Sequence, residues 1–113
     1  MKDSDAVAVL EIATKIGALS FGEFTLTSGK KSPYYFDGRL LSLNPAGAYH
    51  VAKAFLAEII TSKADAAAGP AVAAVPIVSA LALLSHQAGQ PVPALIVRDV
   101  AKQHGTGKKI EGN

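Results

Sequence analysis

The stretch Ala64-Asp-Ala-Ala-Ala-Gly-Pro-Ala-Val-Ala-Ala-Val-Pro-Ile-Val-Ser-Ala-Leu-Ala-Leu-Leu-Ser-His-Gln-Ala-Gly-Gln-Pro-Val-Pro-Ala-Leu-Ile-Val97 decides the fold. No formal charge lies between Asp65 and Arg98. Its breakers divide it into three parts. Residues 64 to 68 are short and apolar and predict a strand closed by Gly69-Pro70. Pro76 to Ala88 is at first almost wholly apolar and predicts a helix buried on most sides, ending at Gly89 as its C′ residue. Pro93 to Val97 predicts a second buried strand. A membrane span needs about 20 strongly apolar residues in one helix, and Gly69-Pro70, Pro76 and the prolines at 91 and 93 interrupt this run. Strand, helix, strand with apolar strands predicts an α/β class with a parallel sheet flanked by helices.

Upstream, Asn44-Pro45 pairs a capping residue with proline at the first helical position. After it, Ala48, Val51, Ala52, Phe55, Leu56 and Ile59 form one apolar stripe, which predicts a long amphipathic helix. Phe24-Thr-Leu-Thr27 alternates, Ser28-Gly-Lys-Lys31 has turn chemistry, and Tyr34-Tyr-Phe36 resumes β-type residues, so a hairpin is expected. Val9, Ile12, Ala13 and Ile16 predict a first helix over 5–19, with Ser4 as its cap. Downstream, Arg98 to Asn113 holds Arg98, Lys102, Lys108, Lys109 and His104 among Gly105, Gly107 and Gly112. A cationic, glycine-rich segment leaving a core strand suits a loop that closes over an anion better than a packed helix, since glycine costs about 1 kcal/mol at each helix-interior position.

Over the whole chain, 113 residues suffice for one domain or part of one. Half the residues are apolar and 18% are charged, which excludes a disordered chain. A net charge of +2 is too small for a general nucleic-acid coat. There is no cysteine, hence no disulfide or thiolate metal site, in keeping with a reducing cytoplasm. The N-terminus, Met1-Lys-Asp-Ser-Asp5, lacks the apolar core of a signal peptide. Neither a membrane nor a nucleic acid is an expected partner.

In open parallel sheets ligands bind beyond the carboxyl ends of the strands; both core strands deliver chemistry there, and the hairpin offers a third set of groups. The first is the small-residue loop Gly69 to Pro76, whose N–H groups and helix N-terminus can cradle a phosphate; a turn kept small for packing accounts for it equally well. The second is Arg98, Lys102 and His104, able to bind phosphate oxygens or carry a proton, or else an ordinary solvated loop. The third is the hairpin with Lys30, Lys31, Tyr34, Tyr35 and Phe36, where aromatics beside cations can hold a flat anionic ring, or where they simply form hairpin core. His50 and His86 suit structural roles. No spacing suggests a metal site, a nucleophilic triad or a carboxylate pair.

Three segments in this order resemble the orotate phosphoribosyltransferase family of type I phosphoribosyltransferases. They are Phe21-Gly-Glu-Phe-Thr-Leu-Thr-Ser-Gly-Lys-Lys-Ser-Pro-Tyr-Tyr-Phe-Asp37, then Gly69-Pro-Ala71 with Val75-Pro-Ile77, then Arg98 with Ala101-Lys-Gln-His-Gly105. The resemblance implies a single partial domain over 1–113. Residues 1–40 would form an N-terminal helix and hairpin hood, and 41–113 the first part of the α/β core with a flexible catalytic loop. It implies transfer of ribose 5-phosphate from phosphoribosyl pyrophosphate to orotate in pyrimidine synthesis, with Mg2+ on the donor. Tyr35 and Phe36 would border the orotate ring, Val72 and Ala73 would meet the pyrophosphate, and Arg98, Lys102 and His104 would act catalytically. The loop over 98–107 would reach the neighbouring site of a homodimer.

The chain departs from the family pattern at Thr27, Ala73 and Asp99, substrate-contact positions where many members carry lysine. It also contains no adjacent acidic pair, the family's mark of the ribose-phosphate site, so an N-terminal fragment of a longer enzyme is expected. The alternatives are a truncated or non-catalytic nucleotide-binding relative and a transferase acting on another base. The Ser-Pro-Tyr-Tyr-Phe segment speaks against the last.

Overall fold

The computed structural model describes residues 3–99 and 109–113. In chain order these form α1 (Asp3–Lys15), β1 (Leu19–Thr25), β2 (Lys31–Phe36), α2 (Gly38–Ser42), α3 (Pro45–Ser62), β3 (Ala67–Pro70), α4 (Val75–Gln87), β4 (Ala94–Val97) and β5 (Ile110–Glu111). Among the described residues no helix is long and apolar enough to cross a membrane.

The long helix α3 starts where its cap signal predicts. The Asn44 side chain accepts a hydrogen bond from the Gly47 N–H at 3.0 Å, and Pro45 opens the first turn. Its apolar stripe serves two clusters, apart from Phe55, which the structure leaves half exposed. One joins Ala13, Ala18 and Leu41 to Val9, Ile12, Ile16, Leu19 and Val51. The other joins Ala52, Leu56 and Leu81 to Ile59, Ala67, Ala80 and Leu84. Consecutive residues Val51 and Ala52 thus bury against opposite neighbours, and α3 is the layer between the N-terminal elements and the core sheet. Asp5, 2% exposed on α1, meets Lys53 of α3 at 3.6 Å and ties the two helices together.

The first helix runs from Asp3 to Lys15, so Ser4 lies within it and does not cap it. The hairpin forms but is shifted, starting at Leu19 after a left-handed Gly17 and turning from Leu26, two residues before the expected turn at Ser28. Leu19 pairs with Phe36 and Thr25 with Lys31, with a register shift between Phe21 and Phe24. The hairpin is a separate two-stranded sheet and does not extend the core sheet.

In the core, β3 and β4 run parallel, joined through α4, as the strand–helix–strand pattern requires. The first strand is displaced from the predicted 64–68 to 67–70. Ala64 still closes the C-terminal cap of α3, its N–H donating to the Ile59 carbonyl at 3.2 Å. Gly69-Pro70 does not end the strand: Gly69 pairs with Ile96 and Pro70 with Val97. One further strand was not anticipated. The end of the chain returns as β5, antiparallel to β4, with Val97 opposite Ile110 and Ile96 opposite Glu111. The glycine-rich tail therefore includes a strand at its far end.

Candidate functional site

A cleft of about 470 Å³ opens between two walls. One wall is the exit of the hairpin and the short helix α2, contributing Asp37, Gly38, Arg39 and Ser42. The other is the turn after β3 and the start of α4, contributing Pro70, Val72, Ala73, Ala74 and Ile77.

The first wall is shaped by Asp37. Its carboxylate accepts a hydrogen bond from the Arg39 N–H at 3.1 Å, capping α2. It also pairs with the Arg39 guanidinium, Nε to Oδ1 at 3.6 Å. The Arg39 side chain is 69% exposed, so its remaining donors are available at the cleft.

The second wall is held from below by the sheet. The Ala71 N–H donates to the Val97 carbonyl at 2.8 Å, continuing the β3–β4 ladder one residue past Pro70. The Ala74 N–H donates to the Pro70 carbonyl at 3.1 Å, and the Val75 N–H to the Val72 carbonyl at 3.1 Å. The turn is thereby closed on itself, with Val72 and Ala73 exposed at its tip. The Ala71–Val72 peptide is cis. No side chain caps the N-terminus of α4, so its positive end is available to an anion in the cleft.

Of the predicted site residues, Val72 and Ala73 line the cleft. Tyr35 and Phe36 lie half exposed on β2 and lead directly into Asp37, with the Tyr35 ring 5.8 Å from that of Phe24. Thr27 is exposed at the distal turn of the hairpin, where the Gly29 N–H donates to the Leu26 carbonyl at 2.8 Å. Arg98 and Asp99 follow β4, next to the residue that anchors Ala71, but do not line the cleft. The Arg98 Nε lies 3.5 Å from Oε1 of Glu111. Lys102 and His104 lie outside the described residues. Among the described residues no three His, Asp or Glu side chains gather as a metal-ligand set.

Asp37, Arg39 and Glu111 were not singled out in the sequence. For the first two a signal existed: Asp37 follows an aromatic strand and precedes Gly38-Arg39-Leu-Leu, an N-cap position at a strand exit. Glu111 gave none, because its importance comes from pairing with a residue thirteen positions earlier.

No family model matches the chain. Curated relatives do. The orotate phosphoribosyltransferase of Pyrococcus horikoshii is 43% identical over 115 residues, an alignment that takes in 100% of this chain and 57% of the relative. The crystal structure of the Francisella tularensis orotate phosphoribosyltransferase superposes with a TM-score of 0.68 at 31% identity, covering 92% of this chain and 49% of that one. The Mycobacterium tuberculosis enzyme solved with 5-phospho-alpha-D-ribosyl 1-diphosphate gives a TM-score of 0.63 at 25% identity, covering 96% and 57%. The chain spans about half the length of the curated relatives it matches. Whole-chain sequence similarity and a shared fold identify the chain as belonging to the orotate phosphoribosyltransferase family, with the type I phosphoribosyltransferase fold.

Proposed function

We propose that the protein carrying this chain transfers ribose 5-phosphate from phosphoribosyl pyrophosphate to orotate, a step of pyrimidine synthesis towards UMP. The observation that carries this reading is the cleft itself, where the exit of the aromatic hairpin faces the β3–α4 turn. Such a site has a flat-ring side and a phosphate side.

In the reaction a ring nitrogen of orotate gives up its proton to the medium and bonds to the anomeric carbon as the bond from that carbon to pyrophosphate breaks. The electron pair of the broken bond leaves with pyrophosphate. Main-chain groups at Tyr35 and Phe36 border the ring, and the turn at Val72 and Ala73, with the positive end of α4, receives the pyrophosphate. Arg98 and Lys102 stabilise the charge that grows on the leaving group, and His104 donates to it or carries a proton. Thr27 and Asp99 complete the substrate contacts. Magnesium, carried on the phosphate oxygens of the donor, would further neutralise the charge of the leaving group. Residues 1–40 act as a hood over a core that starts at 41. The exposed apolar side chains Phe21 and Leu43 suit burial against a second copy, in a homodimer whose 98–107 segments serve the neighbouring sites. The cysteine-free composition suits a cytoplasmic enzyme.

The test is incubation of the protein from the complete reading frame with labelled orotate, phosphoribosyl pyrophosphate and Mg2+. Orotidine 5′-phosphate and pyrophosphate are expected in equal amounts. Binding of the donor without consumption of orotate overturns the reaction in favour of a non-catalytic nucleotide-binding protein. Displacement of orotate by purine bases overturns the choice of acceptor.

A further inference from the structure

The ion pair between Arg98 and Glu111 is built by the sheet. Glu111 stands opposite Ile96 in the antiparallel β4–β5 register. Ile96 and Arg98, two apart along one extended chain, share a face, so Arg98 and Glu111 are diagonal neighbours on that face. The Arg98 N–H donates to the Lys109 carbonyl at 2.8 Å and extends the ladder to this point. Nε and Oε1 are 3.5 Å apart and both atoms are buried, while the side chains as wholes are about one third exposed, at 37% and 31%. The backbone beyond Glu111 is fixed as well. Gly112 has φ +127°, and a β-carbon there would lie 2.7 Å from the Ala94 carbonyl oxygen and 2.7 Å from Cδ2 of Leu95. Only glycine permits that approach, so the carboxylate is carried on a segment pressed against β4.

A carboxylate beside Nε restricts a long, rotamer-rich side chain, and the terminal Nη groups of an arginine are the fork that binds phosphate oxygens. We propose that Glu111 is a positioning residue, which holds Arg98 so that its Nη fork is presented to the pyrophosphate group. The proposal rests on the reading of Arg98 as a pyrophosphate ligand.

A double-mutant cycle tests it, with the parent protein from the complete reading frame, Arg98→Ala, Glu111→Ala and the double variant. Glu111→Gln retains the strand and the bulk without the charge, and Glu111→Asp retains the charge. The readouts are affinity for inorganic pyrophosphate by calorimetry, and KM for each substrate set against kcat. Glu111→Ala and Glu111→Gln are expected to weaken pyrophosphate binding about five-fold when Arg98 is present and not at all in the Arg98→Ala background. Glu111→Asp should recover part of the loss, and the KM for orotate should not move. Equal losses in both backgrounds, or tighter binding on removal of the carboxylate, overturn the proposal. Coupled pyrophosphate binding without orotate turnover removes the proposed reaction and leaves the positioning role standing. Turnover with additive losses does the reverse. A parent that binds no pyrophosphate overturns both.

Discussion

Gly69 and Ala74 approach so closely that a β-carbon on Gly69 would lie 2.5 Å from Cβ of Ala74 and 3.3 Å from Cγ1 of Val78. Gly69 is buried in the middle of β3 and Ala74 stands at the cap of α4, so this contact sets how tightly the turn at Val72 and Ala73 folds back over the strand. Gly69→Ala is expected to destabilise the protein by about 1–3 kcal/mol through overpacking, and to weaken pyrophosphate binding by moving the turn. Denaturant unfolding and calorimetry on the same sample check both. Unchanged stability and affinity would show that the turn accommodates a methyl group.

Arg39 is the cation that the described residues place on the cleft. If it contacts an anionic substrate, Arg39→Met should raise the KM for one substrate about ten-fold, the loss of one charge-assisted hydrogen bond. Asp37 caps α2 with the same carboxylate that pairs with Arg39. Asp37→Asn should therefore have a smaller effect than Arg39→Met, because asparagine still caps. Steady-state kinetics with each substrate varied in turn decide this.

Lys102→Ala should lower kcat by about 100-fold, as expected for removal of a cation that stabilises a leaving group, and should leave orotate binding nearly unchanged. Equal kcat in variant and parent would remove Lys102 from the mechanism.

Ser85 is fully buried, and its hydroxyl links α4 to the approach to β4. It donates to the Ala82 carbonyl at 2.7 Å and accepts from the Val92 N–H at 2.9 Å. Ser85→Ala leaves that buried N–H without its acceptor and should destabilise the protein by about 1–3 kcal/mol. The urea midpoint should fall at constant slope, with kcat per folded molecule retained.

Asp5 on α1 is buried against Lys53 on α3. A fully buried pair loses about 3–5 kcal/mol when one partner is removed. The Lys53 side chain is 46% exposed, so Lys53→Met should cost about 1–2 kcal/mol after solvent screening. Thermal unfolding with and without added salt measures it, and an unchanged Tm would show that water alone satisfies Asp5.

Much of the architecture is written in local pattern. The Asn44 cap and apolar stripe give α3 its start and its buried face within one segment, and the alternating aromatics on either side of a turn give the hairpin. The parallel pair also follows, since two apolar strands joined by an apolar helix have few other arrangements, although α4 buries one face and leaves Leu83 exposed. Strand limits were less legible. Alanine has little strand preference, so in Ala64 to Ala68 the boundary was fixed by the end of α3 on one side and the pairing of Gly69 and Pro70 on the other. The small-residue turn could be read as a phosphate cradle, but Asp37 and Arg39 could not be seen to face it across a gap of more than thirty residues.

The sequence by itself determined the α/β class, the cap and start of α3, the hairpin and the chemical types available at each strand end, because propensity, periodicity and capping act over a few neighbouring residues. The tertiary structure decided which of those groups meet. The cleft between α2 and the β3–α4 turn depends on how α3 packs between two clusters. The pairing of Arg98 with Glu111 depends on the β4–β5 register, where a slip of one residue would turn the carboxylate to the other face.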